Sequence, residues 1–292
     1  MITKVFYITG TSSGFGRELV LDLASRGHKV IATALSTDWI EDFTKLDNVK
    51  TQKVDVTDSP TILQQKVEEA ITFFGKIDVL VNNAGFSQTG CLEELSDGEL
   101  RKSFDTNFFG PVNLTKAILP HFRSTETESL ICTVTSMCGI VSFPMAGAYA
   151  STKFALEGYF EGLSSEMKMV QAPVRVLCIA PGGFKTELID NTKKPQNILD
   201  VYSPARVYMD SLLKNMHATG GIPKIGAKLM IDAMLQEGSA EGKEIPLRVP
   251  IGSDGVDIPL DKFKSQAEAY ESWMSFAAEA DSAMDGCNTN CN

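Results

Sequence analysis

The sequence predicts an α/β protein built on a single doubly wound parallel sheet of about seven strands. Three observations carry that reading. Short apolar, β-rich runs recur along the chain, helical periodicity separates them, and a glycine-rich turn follows the first run directly. Strands alternating with helices imply parallel pairing, and near-continuous apolar strands are expected where helices cover both faces of a sheet.

The strand runs are "KVFYITG" from Lys4, "KVIATAL" from Lys29, "KTQKVDV" from Lys50, "DVLVNNAG" from Asp78, "LICTVTS" from Leu130, "VRVLCIAPG" from Val174 and "EIPLRVPIG" from Glu244. Periodicity and turn residues place helices over about Gly14–Arg26, Ser59–Phe74, Ser96–Phe122 and Gly147–Val170. Between Thr186 and Gly221 the strand rhythm stops and two helix-like pieces appear, an insertion placed as a lid over the C-terminal edge of the sheet. No linker, low-complexity tract or repeat interrupts the winding. The expected organisation is one domain over 1–259, with its lid at about 187–221, followed by an acidic helix and tail over 260–292.

Composition excludes several classes. Hydrophobic residues make up 43% of the chain, and no apolar run approaches the roughly 20 residues of a bilayer-spanning helix. The opening "MITKVFYITG" lacks the basic region and long apolar stretch of an export signal, so the mature chain is expected to begin at or near Met1. Cys91, Cys132, Cys138 and Cys178 lie in or beside apolar segments, the usual setting of reduced, buried thiols, and a cytoplasmic location follows. Cys287 and Cys291 have no second pair or histidine near them and read as part of an untethered tail, so no metal is expected. Net charge is -10, and after Ile251 eight acidic residues face two lysines. Nucleic acid and anionic membranes select clusters of lysine and arginine and are disfavoured as partners.

"TGTSSGFG" places Gly10, Gly14 and Gly16 between the first strand and the first helix. Glycine permits positive φ and close backbone approach, while a helix N-terminus offers free N–H groups to a pyrophosphate. Position makes this a dinucleotide site. Later, Tyr149 and Lys153 stand at i and i+4 and so share a helix face. A neighbouring ammonium stabilises a phenolate and lowers its pKa, so the pair reads as acid/base chemistry, although alone it would read as surface decoration. Ser136 ends the fifth strand, where the ligand crevice of such sheets opens, and its hydroxyl is positioned to hold a substrate oxygen.

The glycine spacing, "NNAG" from Asn82 to Gly85 and "YASTK" from Tyr149 to Lys153 together resemble the short-chain dehydrogenase/reductase family, strongly over about Ile2 to Thr186. The resemblance implies a Rossmann-type domain assembled as a homodimer or homotetramer. It also implies catalytic roles: Ser136 orients the carbonyl or alcohol, Tyr149 exchanges the proton, Lys153 also holds the nicotinamide ribose, and Asn107 in "DTNFFG" supports a water that relays protons. For the cofactor it implies Gly10, Ser12, Ser13, Gly14, Phe15 and Gly16 in the turn, with Asp55 and Val56 at the adenine and Asn82, Ala84 and Gly85 beside its ribose. "PGGFKT" adds Pro181, Gly182, Phe184 and Thr186 near the carboxamide.

Cofactor choice departs from both family patterns. Neither the acidic residue of NAD-dependent members nor the basic residue of NADP-dependent ones is present, because the positions read Ala34, Leu35 and Ser13. Without a carboxylate to repel a 2′-phosphate, NADP(H) is the expected cofactor, with Ser13, Ser36 and Thr37 as its hydrogen-bonding groups, and NAD(H) stays open. Expected pocket liners are Phe86, Met137, Cys138, Phe143, Pro144, Met145, Phe184 and Leu188, with Tyr202, Tyr208 and Met209 from the lid. That wall fits a small apolar carbonyl or alcohol substrate. A cofactor-binding protein with vestigial redox activity, and reduction of an imine or C=C bond, stay open as alternatives.

Overall fold

Side chains alternate between the two faces of each strand, and that alternation builds two helical layers on one sheet. The computed structural model describes residues 2–281, so Cys287 and Cys291 lie outside the described residues. Among the described residues the strands are β1 (Val5–Ile8), β2 (Lys29–Ala34), β3 (Val49–Lys53), β4 (Val79–Asn82), β5 (Ser129–Val134), β6 (Val174–Pro181) and β7 (Arg248–Ile251). They form one sheet in the order β3-β2-β1-β4-β5-β6-β7, with every neighbouring pair parallel. The helices are α1 (Gly14–Ser25), α2 (Pro60–Phe74), α3 (Asp97–Phe104), α4 (Gly110–Arg123), α5 (Gly147–Met169), α6 (Glu187–Asp190), α7 (Ser203–Thr219), α8 (Pro223–Leu235) and α9 (Ser253–Ala278).

Phe6, Ile8, Val79, Val81 and Leu177 belong to one core, completed by Leu19 and Leu23 of α1 and Met230 and Ile231 of α8. Val5, Tyr7, Leu80, Ile131 and Cys178 belong to the other, with Leu63 of α2, Ile118 and Phe122 of α4, and Leu156 and Phe160 of α5. Each such side chain contributes about 1.5–3 kcal/mol by leaving water. The sheet is therefore a rigid platform, and the ends of its strands hold their positions.

All the predicted strands are present. The helix expected over Ser96–Phe122 is present as one run from Asp97 to Arg123, in which a π turn over Asp105–Phe109 separates α3 from α4. A Cβ at Gly110 would stand 2.9 Å from Val56, so glycine is what lets α4 close on the segment after β3. Helix α8 was not expected, and its buried Gly226, Ala227, Met230, Ile231, Ala233 and Met234 leave little of the polar face that periodicity relies on. Cys91, Cys132, Cys138 and Cys178 are free and buried. No helix among the described residues is long and apolar enough to cross a membrane.

Polar contacts fasten α1, which carries the glycine turn, to α8. Arg26 pairs with Asp22 at 2.8 Å, Glu237 at 2.6 Å and the nearly inaccessible Asp232 at 3.3 Å. Replacing Arg26 by Met leaves Asp232 to Lys228 alone among the cations and is expected to lower unfolding stability by about 2 kcal/mol. Urea unfolding checks this; an unchanged midpoint would mean that apolar packing alone holds α1 on α8.

Candidate active site

Parallel winding brings the C-terminal ends of β1, β4, β5 and β6 to one edge, where a cavity of about 730 Å³ opens. Sheet order puts Leu35, Asp55 and Val56, which follow β2 and β3, on one side of the glycine turn. Ser136 and Pro181, from β5 and β6, lie on the other, and all five line the cavity.

The turn leaves room for a phosphate because side chains are absent where the backbone bends. Gly10 and Gly14 have φ of 68° and 53°, and a Cβ on Gly16 would stand 2.2 Å from the Gly10 carbonyl oxygen. Asn83 locks the bend by donating to the Thr9 and Gly10 carbonyls at 2.9 and 3.0 Å, while the Thr9 hydroxyl accepts from the Asn83 and Ala84 N–H groups. The Gly14 N–H already donates to the Glu187 carboxylate at 3.0 Å, so the start of α1 accepts an anion. These residues fit the pyrophosphate of a dinucleotide.

Helix α5 sets Tyr149 and Lys153 one turn apart, both facing the cavity. The Lys153 Nζ lies 5.6 Å from the centre of the Tyr149 ring and donates to the Val134 carbonyl at 2.8 Å. Burial lowers the Lys153 pKa to about 8, with Glu157 working against the shift. The Tyr149 phenol is pushed up by burial and by Cys138, with a hydrogen bond to Ser136 in opposition. The sequence led to the expectation that Lys153 lowers this phenol. Here burial is the largest influence on the phenol, and the Lys153 ammonium donates to the Val134 carbonyl at the end of β5. Ser136 is fixed by the Cys138 N–H, which donates to its hydroxyl at 3.1 Å.

Asn107 sits in the π turn, 1% exposed, and does not line the cavity. Its amide accepts from the Phe86 N–H at 3.0 Å, donates to the Phe86 carbonyl at 2.9 Å and reaches Thr152 at 3.3 Å. It therefore ties the loop after β4 to α5. A Cβ on Gly85 would stand 3.0 Å from the Asn107 Oδ1, so this glycine permits the approach.

The segment over 187–221, which includes α6 and α7, is anchored to the segment between β4 and α3. The inaccessible Glu94 carboxylate accepts from the Leu199 N–H at 2.9 Å, Arg206 at 2.6 Å and the Cys91 N–H at 3.1 Å. The Leu199 bond holds its pKa below the usual carboxylate range against the effect of burial. Helix α7 then presents Met209, Leu212, Leu213 and Met216 to the cavity, one face at helical spacing.

Gly10, Ser12, Ser13, Gly14, Phe15, Asp55, Val56, Ala84, Gly85, Ser136, Tyr149, Lys153, Pro181, Gly182, Phe184 and Thr186 all line the one cavity. Gly16 lies behind the turn. Asn82 is buried between β4 and β5, donating to Thr115 and Thr133, and its neighbours Asn83 and Ala84 reach the cavity in its place. Ser36 caps the turn after β2 by accepting from the Asp38 N–H, while Leu35 and Trp39 face the cavity. Of the expected apolar liners, Pro144, Met145, Tyr202 and Tyr208 are elsewhere; the Tyr202 hydroxyl donates to Glu93. Asn83, Glu187 and Asp254 also shape the site, beyond the residues expected from the sequence. Asp254 accepts from the Gly183 and Gly255 N–H groups at 2.7 and 2.9 Å and so shapes the "PGG" turn. Its signal, "GSDG" directly after a strand, is a helix-start pattern. No group of three or more histidines, cysteines or carboxylates among the described residues is placed to hold a metal.

Comparison with known proteins agrees with this geometry. The family model described as short chain dehydrogenase matches residues 4–197. The chain is 35% identical over 216 residues to a 3-ketodihydrosphingosine reductase of Bacteroides thetaiotaomicron, covering 74% of this chain and 76% of that one. It is 30% identical to the oxidoreductase calM of Penicillium decumbens, covering 94% and 91%. A solved short-chain dehydrogenase from Streptomyces avermitilis superposes with a TM-score of 0.84 at 29% identity, over 95% of this chain and 98% of that one. The chain belongs to the short chain dehydrogenase family and is an NAD(P)-dependent oxidoreductase of that family.

Proposed function

We propose that this enzyme interconverts a carbonyl and an alcohol on a bulky apolar small molecule by hydride transfer with NADP(H). The observation that carries the reading is the position of Ser136 and Tyr149, which share one cavity with the glycine turn and with the apolar face of α7. The relative named as a 3-ketodihydrosphingosine reductase supports a ketone as the reacting group. The absence of a carboxylate at Ala34 and Leu35, with Ser13 in the turn, supports NADP(H) over NAD(H). Reduced, buried thiols support a cytoplasmic location, and a core of 1–259 with an acidic appendage over 260–292 remains our reading of the organisation.

When bound, the dinucleotide supplies or accepts the hydride. Gly10, Ser12, Ser13, Gly14, Phe15 and Asn83, which line the cavity, would hold its pyrophosphate region, and Asp55 and Val56 would lie at its adenine. On the protein side, the Ser136 hydroxyl donates to the substrate oxygen and fixes it beside the Tyr149 hydroxyl. In reduction, Tyr149 gives its proton to the nascent alkoxide, and the phenolate left behind is stabilised by the Lys153 ammonium. Burial makes that phenolate costly until a charge is developing on the substrate, so the proton stays on Tyr149 before reaction. Asn107 keeps the Phe86 loop and α5 in register.

Replacing Tyr149 by Phe is expected to lower turnover by about 10³-fold while leaving dinucleotide affinity within about threefold. Steady-state assays over a panel of apolar ketones and alcohols check this. A variant with wild-type turnover would remove Tyr149 from the mechanism, and a wild type that binds cofactor but reduces nothing would favour a vestigial redox site.

Lys153 gives a second expectation, in stability. Its folded pKa of about 8 lies below the ordinary 10.5, so below pH 8 the fold bears the full penalty of the buried charge. As pH rises from about 8 to 10.5 the folded state sheds that proton first and the penalty fades. Lys153→Met is therefore expected to melt higher than wild type at pH 7, with the difference shrinking towards pH 10. Melting curves across that range check it; a variant less stable at pH 7 would show that the Val134 hydrogen bond outweighs desolvation.

A further inference from the structure

The C-terminal part of α9 leaves the body of the protein. Its first turns are docked: Gly255 and Pro259 are buried, and Lys262 donates to the Ile140 carbonyl and lies over the Phe154 ring at 4.9 Å. From Phe263 to Asp281 every residue is exposed, with Tyr270 at 80%, Met274 at 66% and Trp273 at 61%. Most helical stability in proteins comes from packing of an apolar face, a packing this segment lacks, and contiguous apolar groups of this size mark an interaction surface.

The pattern on the helix identifies the partner. Val256, Leu260, Phe263, Ala267, Tyr270, Met274 and Ala277 follow one another at alternating steps of four and three. This is a heptad seam, with Leu260, Ala267 and Met274 at a and Val256, Phe263, Tyr270 and Ala277 at d. A seam of that period is complementary to a second helix of the same period. We propose that α9 pairs antiparallel with α9 of a second copy of this chain.

Size and charge both select the antiparallel arrangement. With the two-fold axis between positions 268 and 269, Leu260 faces Ala277 of the partner subunit, Phe263 faces Met274 of the partner subunit, and Ala267 faces Tyr270 of the partner subunit. Large residues meet small ones in two of those layers, which is how a close-packed seam fills. Parallel pairing would oppose Tyr270 to its own copy and Ala267 to its own copy, a collision beside a void. The flanking positions next to d carry Lys264 and Glu271, and antiparallel pairing brings Lys264 of each copy to Glu271 of the other. Within its own chain Lys264 has only a 3.8 Å contact to Asp261, with both side chains more than 70% exposed. An anionic bilayer is a poor alternative, since eight acidic residues against two lysines follow Ile251.

Sedimentation of the full-length chain, without cofactor or substrate, tests the pairing. Tyr270→Glu is expected to halve the mass of the assembly. Lys264→Glu alone and Glu271→Lys alone each put like charges at both contacts and are expected to weaken association about tenfold. An equimolar mixture of those two single variants has opposite charges at both contacts and is expected to regain wild-type association. Equal masses for wild type and Tyr270→Glu, a wild type that stays monomeric at every concentration, or no recovery in the mixture would each overturn the proposal. Flotation of wild type with neutral phosphatidylcholine vesicles, lost in Tyr270→Glu, would overturn it in favour of a lipid surface.

Discussion

Lys153 carries its charge where burial works against it, and the rest of the site is arranged around that cost. The ammonium is held by the Val134 carbonyl at the end of β5, with Tyr149 one turn away on α5 and no carboxylate among the described residues in direct contact. A fully neutralising partner would remove the cost but also the positive field that a phenolate needs. A single neutral carbonyl positions the group and leaves its charge available. Keeping that geometry requires a fixed strand end and a fixed helix, which the two packed layers on the sheet provide. Asn107 adds the last constraint by pinning the loop after β4 to α5.

The same arrangement separates two kinds of wall. One part of the cavity is backbone: a glycine turn whose Gly14 N–H donates to a carboxylate and whose bend Asn83 and Thr9 lock from behind. The other is apolar side chain, supplied by α7 and held down through buried Glu94 and Arg206. Glu187 joins them, because it follows Thr186 at the base of the lid and accepts from Gly14 in the turn.

Much of this was legible in the sequence because it is written in short spacings. The i, i+4 relation of Tyr149 and Lys153 survives in any helix, and strand ends locate Ser136 and Pro181 once parallel winding is inferred. The less legible parts depend on which way a side chain turns or on contacts far along the chain. Asn82 and Asn83 are adjacent and identical, yet alternation sends the first into the core and the second to the glycine turn. The π turn at Asn107 shifts the helical phase over a single turn, too short a stretch for periodicity to reveal. The upward shift of the Tyr149 phenol follows from burial, which no spacing reveals. Asp254 serves a turn that lies 71 residues earlier.

The proposed chemistry requires a dinucleotide to complete the cavity between the glycine turn and Tyr149. The most direct measurement is calorimetric titration of the purified protein with NADPH and, separately, NADH. The expected result is one site per chain with NADPH bound more tightly. Tighter binding of NADH would contradict the reading of Ala34, Leu35 and Ser13, and binding of neither would contradict the assignment of the cavity itself.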